Sequence, residues 1–332
     1  MKKMKQVIGW VSILFSLFVV SCHSSEKEAD ISKMDLEVSI TRLDKTLMAV
    51  KNKEEVAQFL SENEAITRSF YRAYPDDTAF VSYLYELTQH PETRALYSQT
   101  NTYFGDLKDI QKQFEEAFKR IKFYYPRFKA PAIYTTFSGL QNDLYVSDSL
   151  IVIALESFIG PEAKYRPQLP VYMLTRYQKE SLVPTVIRLL SDSYVKSDVA
   201  DQTLLGDMVY FGKSFEFTKT MLPDVPPHLI IDYADSTYQK TWYAQDLVWA
   251  HLIDKGVLYE KTPRLKEVYL GERPFVVEIG PACPGRIGQW VGWRIVDAYR
   301  TQNPSLSFVE VMENKNAQDI LQKSKYRGEI AE

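Results

Sequence analysis

From residue 36 to residue 332 no glycine- or proline-rich linker breaks the chain, and its hydrophobic pattern changes character once along that length. In LEVSITRLD (36–44), Leu36, Val38 and Ile40 alternate with polar residues, the period-two pattern of a half-buried strand. Later segments follow a helical period. Strands early, helices late and no break between them predict a single α+β domain over 36–332. Its N-terminal part should hold mixed helices and a small sheet, and its C-terminal half should be helical. The full 332 residues can bury a complete core. With 45% hydrophobic residues, 13 glycines and 16 prolines, the chain is neither collagen-like, low-complexity nor a polytopic membrane protein. Lys+Arg 40 against Asp+Glu 43 leaves a net charge of -3, without the concentrated basic face that nucleic acid needs.

The N-terminus carries its own instruction. Lys2, Lys3 and Lys5 precede an uncharged apolar run from Val7 to Val20, shorter than the ~20 residues that span a bilayer. It ends in Val19-Val20-Ser21-Cys22, and small residues before a cysteine at that place resemble a bacterial lipobox. The expectation is a signal peptide over 1–21, lipidation of Cys22 and a flexible tether over 22–35. Two acyl chains suffice for stable attachment to a membrane. Cys283 would then be the remaining thiol, so an internal disulfide is excluded.

Within the domain, DLKDIQKQFEEAFKRIKFYYP (106–126) places Leu107, Ile110, Phe114, Phe118 and Ile121 on one stripe, with acids early and bases late. It is the clearest of two or three helices expected after the first strand. A strand at 130–139 and a hairpin within 144–160, turning at Ser147-Asp148-Ser149, should add to the first strand. Helices follow at 182–195, 203–222, 236–255, 287–300 and 306–324. Thr203 and Ser236 are candidate N-caps, Pro223 a stop and Gly256 a C-terminal signal.

No catalytic constellation stands out. The four histidines, His23, His90, His228 and His251, are too scattered for a paired zinc motif, and no metal or cofactor is expected. The surroundings of Lys213-Ser214 are not a nucleophile elbow, and no glycine-rich phosphate loop occurs. Cys283, set between prolines, reads as a structural thiol. Asp207, Glu216 and Glu278 could form a carboxylate pair, but the sequence does not place them.

Two segments are richer in special residues than a core requires. In LLGDMVYFGKSFEFTKTMLPD (204–224), Gly206 and Gly212 interrupt an apolar face. A helical glycine costs about 1 kcal/mol relative to alanine, so either a close helix crossing or a cleft lined by Asp207, Tyr210 and Lys213 should account for them. In PACPGRIGQWVGWRIVDAYR (281–300), Gly288 and Gly292 make a smooth strip among Arg286, Trp290, Trp293, Arg294 and Tyr299. The same residues suit core packing or a recognition surface.

At these residues the chain resembles the gliding motility lipoprotein GldB family of Bacteroidetes. The likeness rests on Cys22, on DMVYFGK through MLPD (207–224) and on PGRIGQWVGWRIVDAY (284–299). It extends through LIVIALESFIG (150–160) to ILQKSKYRG (320–328), and departs at Ala282-Cys283, just ahead of Pro284-Gly285-Arg286. The resemblance implies an outer-envelope lipoprotein serving the gliding and type 9 secretion apparatus through protein partners, with no catalytic residue to carry over. A second resemblance is to zincin-like metallopeptidases, with 180–195 in the metal-helix position but without histidine. That would make the fold a degenerate zincin. The combined expectation is a partner-docking cleft between helices 203–222 and 287–300, using Asp207, Tyr210, Lys213, Arg286, Trp290, Trp293 and Arg294. The alternatives are an envelope hydrolase using a carboxylate pair and a glycan-binding lipoprotein.

Overall fold

The computed structural model describes residues 29–329, so Cys22 and the signal peptide expected before it lie outside the described residues. The first strand, β1 (Ile40–Arg42), is shorter than its alternating pattern. It pairs in parallel with β2 (Ala132–Thr136), Ile40 opposite Ile133. Extending that register backwards sets Val38 against Pro131, which has no N–H to donate. Val38 is nonetheless buried, so the pattern reported burial correctly and pairing too generously.

Six helices, not two or three, follow β1 before the next strand, and five of them precede the amphipathic one: α1 (Leu43–Met48), α2 (Lys53–Glu62), α3 (Glu64–Ser69), α4 (Thr78–Gln89) and α5 (Pro91–Phe104). Local capping divides them. Asn52 accepts from Glu55 N–H, Asp77 accepts from Ala79 and Phe80 N–H, and His90 precedes Pro91 at the first helical position. Next, α6 (Lys108–Tyr124) buries Ile110, Phe114, Phe118 and Ile121 as expected.

The hairpin of β3 (Leu144–Val146) and β4 (Leu150–Ala154) forms, but it joins the sheet through β2 and not through β1. The strand order is β1-β2-β4-β3, with only β3 antiparallel. Parallel strands in the middle of a sheet are covered on both faces, which explains the unbroken apolar run of β4. Ile151 and Ile153 face the main core, while Val152 and Ala154 pack with Ile66 and Phe70 on the other side.

The C-terminal half is helical: α7 (Val171–Leu174), α8 (Lys179–Leu190), α9 (Leu204–Met221), α10 (Pro227–Ile230), α11 (Asp235–Tyr243), α12 (Gln245–Asp254), α13 (Pro263–Leu270), α14 (Ile287–Gln302), α15 (Phe308–Glu313) and α16 (Ala317–Ser324). Two expected helices are in fact pairs. The 236–255 segment breaks at Ala244, and its N-cap is Ala234, not Ser236. The 306–324 segment breaks where Asn316 caps α16 by accepting from Asp319 N–H. Thr203 does cap α9, and Gly256, at φ 64, follows α12. The chain is thus α+β, a small mixed sheet passing into a helical half.

The α9–α14 contact is the centre of that half. A Cβ on Gly212 would collide with the Gly292 carbonyl, and one on Gly292 with the Met208 carbonyl. The two glycines therefore let the backbones touch, and the helices leave no cleft between them. Gly288 faces α13 at Tyr269 instead, so the glycine strip serves two neighbours.

Candidate functional site

The touching backbones decide where the expected partner-binding residues go. Trp290 is 0% exposed and Trp293 and Tyr299 are also buried, so the two tryptophans belong to the core and not to a recognition surface. Glycine at 292 brings α9 so close that the flanking indoles have no route to solvent. Trp293 donates its Nε1–H to Glu216 at 2.9 Å, and Arg300 pairs with the same carboxylate. Arg294 lies over the Trp242 ring at 4.6 Å and pairs with Asp297.

Asp207, Tyr210 and Lys213 do share a cleft, about 290 Å³ in volume, with Lys196 and Lys315. Each is already engaged. Asp207 pairs with Lys266 at 2.6 Å, and Tyr210 Oη–H donates to Asp192 at 2.8 Å. Lys213, buried, donates its ammonium protons to the carbonyls of Lys196, Met312 and Asn314, two of them at the end of α15. Burial lowers its pKa to about 8. Lys213 ties α9 to α15 and reads as a structural clamp.

Arg286 lies in a second pocket. Immediately before α14 the backbone turns through Pro284-Gly285, and Arg286 takes a left-handed φ of 59°. Asp232, after α10, has φ 58°. Two strained non-glycine residues therefore face one another, a costly arrangement that concentrates at functional sites. Gly285 is required here, because a Cβ would collide with the Arg273 carbonyl. Asp232 Oδ2 lies 2.7 Å from Arg188 Nη2 and 3.8 Å from Arg286 Nη1. Glu272 Oε1 lies 2.6 Å from Arg176 Nη2 and 3.2 Å from Arg286 Nε. Arg286 also stacks over Tyr233 at 5.3 Å and donates to the Asp232 carbonyl at 3.0 Å. Asp232, Glu272 and Arg286 of this cluster line a pocket of about 440 Å³ walled by Tyr172, Pro274, Phe275, Pro281 and Pro284, with Lys240 also in its lining; Arg176 and Arg188 do not line it.

The carboxylates considered for catalysis do not converge. Asp207 is held by Lys266, Glu216 by Arg300 and Glu278 by Arg273. Asp297 sits near Glu216 with its pKa raised, chiefly by burial, but it is held by Arg294. Burial pushes the Cys283 thiol up to about 12, which keeps it from the thiolate form needed for attack. In the position of a zincin metal helix, α8 turns Val186, Ile187 and Leu190 into the core and Arg188 towards Asp232. Among the described residues no group of three or more His, Cys, Asp or Glu comes together as a metal site would require.

Sequence reading missed Asp232, Glu272, Arg176 and Arg188. One clue existed: Asp232 follows Leu229-Ile230-Ile231, and an acid ending an apolar run is commonly buried against cations. The rest come from the turn after α7, from α8 and from the loop after α13, which only the fold brings together.

No curated protein and no solved structure matches the chain. A family model described as gliding motility protein GldB matches residues 24–328, nearly the whole chain. Among the described residues no helix is long and apolar enough to cross a membrane. The chain therefore belongs to the GldB family, and that membership implies a role in gliding motility at the cell envelope.

Proposed function

We propose that this protein is a lipid-anchored envelope component without catalytic activity. It is held by acylated Cys22 and docks a protein of the gliding and associated secretion apparatus in the pocket before α14. The observation that carries this reading is the pocket itself. A strained, charged floor meets apolar walls, and Phe275 on its rim is 50% exposed. An exposed aromatic beside buried arginine is the chemistry of interface anchor points. The separate ion pairing of Asp207, Glu216 and Glu278 supports docking over hydrolysis.

The test uses cells carrying Phe275→Ala with Lys240→Glu, both at exposed positions whose loss leaves the core intact. Gliding should fail while the protein accumulates normally. Normal gliding would remove this pocket from the account. Separately, Cys22→Ala should release the protein from membranes into the soluble fraction, and continued membrane attachment would refute the lipid anchor.

A further inference from the structure

The arginine cluster is one anion short. Arg176, Arg188 and Arg286 share only Asp232 and Glu272, so three guanidinium groups face two carboxylates. Arg286 and Asp232 are buried, Arg176 and Arg188 keep 19% and 22% of their side chains exposed, and charges so withdrawn from water are ordinarily balanced. The surplus shows in the hydrogen bonding too. Arg176 Nε and Arg188 Nε are buried without an acceptor, while Asp232 Oδ1, an unused acceptor, counts the other way. Burial, with Arg286 and Arg176 nearby, lowers the pKa of Arg188 despite the opposing pull of Asp232. At the mouth, Lys240 is exposed and adds another cation. All this sits on a chain whose net charge is -3, so the pocket is a basic spot on an acidic protein.

Resting on the docking reading above, we infer that the pocket takes the free C-terminal carboxylate of a partner polypeptide whose last residue is large and apolar. The carboxylate supplies the missing negative charge against Arg286 and Lys240. The apolar side chain packs between Tyr172, Phe275 and the three prolines, whose fixed backbones leave little entropy to lose. A volume of about 440 Å³ suits one or two residues. Hydroxyl groups of Thr175 and Thr237 among the lining residues give a peptide N–H or C=O a partner, which a hydrocarbon chain would leave unused.

The experiment measures fluorescence polarisation with the full chain in detergent. Its probes are labelled pentapeptides ending in Leu or Phe, each as the free acid and as the C-terminal amide, with palmitate as a competitor. The free acids should bind about tenfold tighter than the amides, the ratio expected for one charge-assisted contact. Lys240→Gln, at the mouth, and Arg176→Gln, through the charge of the cluster, should each erode that ratio while both variants stay folded and melt close to wild type. Equal binding of acid and amide, no binding of any peptide at millimolar concentration, or displacement by palmitate at lower concentration than by peptide would each overturn the assignment. If gliding still requires Phe275 and Lys240 while the peptides fail, only the ligand class falls. If gliding ignores those residues, the docking site itself falls.

Discussion

The two ends of α14 handle buried charge in opposite ways. Towards its C-terminus one carboxylate, Glu216, satisfies both a guanidinium and an indole N–H, so each of its oxygens has a partner. At its N-terminus three guanidinium groups divide two carboxylates, polar atoms are left over, and the backbone is strained at Asp232 and Arg286. The first arrangement is what a closed core selects. The second leaves charge and polar atoms uncompensated, and on that difference rests the proposal that the helix start is the docking site.

Breaking the backbone contact between α9 and α14 should cost most. Gly292→Ala drives a methyl group into the Met208 carbonyl, and since both neighbours are backbone of buried helices, stability should fall by about 3 kcal/mol or more. Urea denaturation would show it, and a loss under about 1 kcal/mol would mean that the crossing is looser than described.

A buried carboxylate with no cation at all sharpens the comparison. Glu156 accepts from Ser138 N–H at 2.7 Å and Gly139 N–H at 3.1 Å, yet burial lifts its pKa to about 7 from 4.5. Between those values the folded chain keeps a proton that the unfolded chain has released. Stability from this group is therefore full below pH 4.5 and is lost as pH rises through about 7, by about 3 kcal/mol in total. Glu156→Gln should be more stable than wild type by about that much at pH 8 and nearly equal to it at pH 5. Equal stability at both would contradict the burial argument.

Removing cations gives the smaller, more discriminating pair. Arg300→Gln strips Glu216 of its counter-charge and should cost about 2 kcal/mol, reduced from the fully buried case because Arg300 is partly exposed. Arg176→Gln instead evens the charges at the other end and should stay within about 1 kcal/mol of wild type, or exceed it. Equal losses from both substitutions would erase the distinction between the two ends.

Much of the fold was legible in local pattern. The stripe of Ile110, Phe114, Phe118 and Ile121, the Thr203 cap and the apolar run of β4 each depend on neighbours in sequence, and each came out as read. The breaks at Ala244 and before Asn316 did not, because apolar periodicity continues across a kink that packing imposes. The site was harder. Arg286 was visible beside its Pro-Gly turn, while Asp232, Glu272, Arg176 and Arg188 lie in four other segments with no shared spacing. Trp290 and Trp293 misled for a plain reason: composition alone does not tell a buried indole from an exposed anchor, and the contact between Gly212 and Gly292 decided it.

The claim that the start of α14 is a docking site can be tested at one atom's reach. A photo-crosslinking phenylalanine analogue at Phe275, in living cells, should join this chain to a single envelope protein. The same analogue at Tyr83, equally exposed on α4, should join it to none. Crosslinks from both positions alike, or from Tyr83 and not Phe275, would contradict the account.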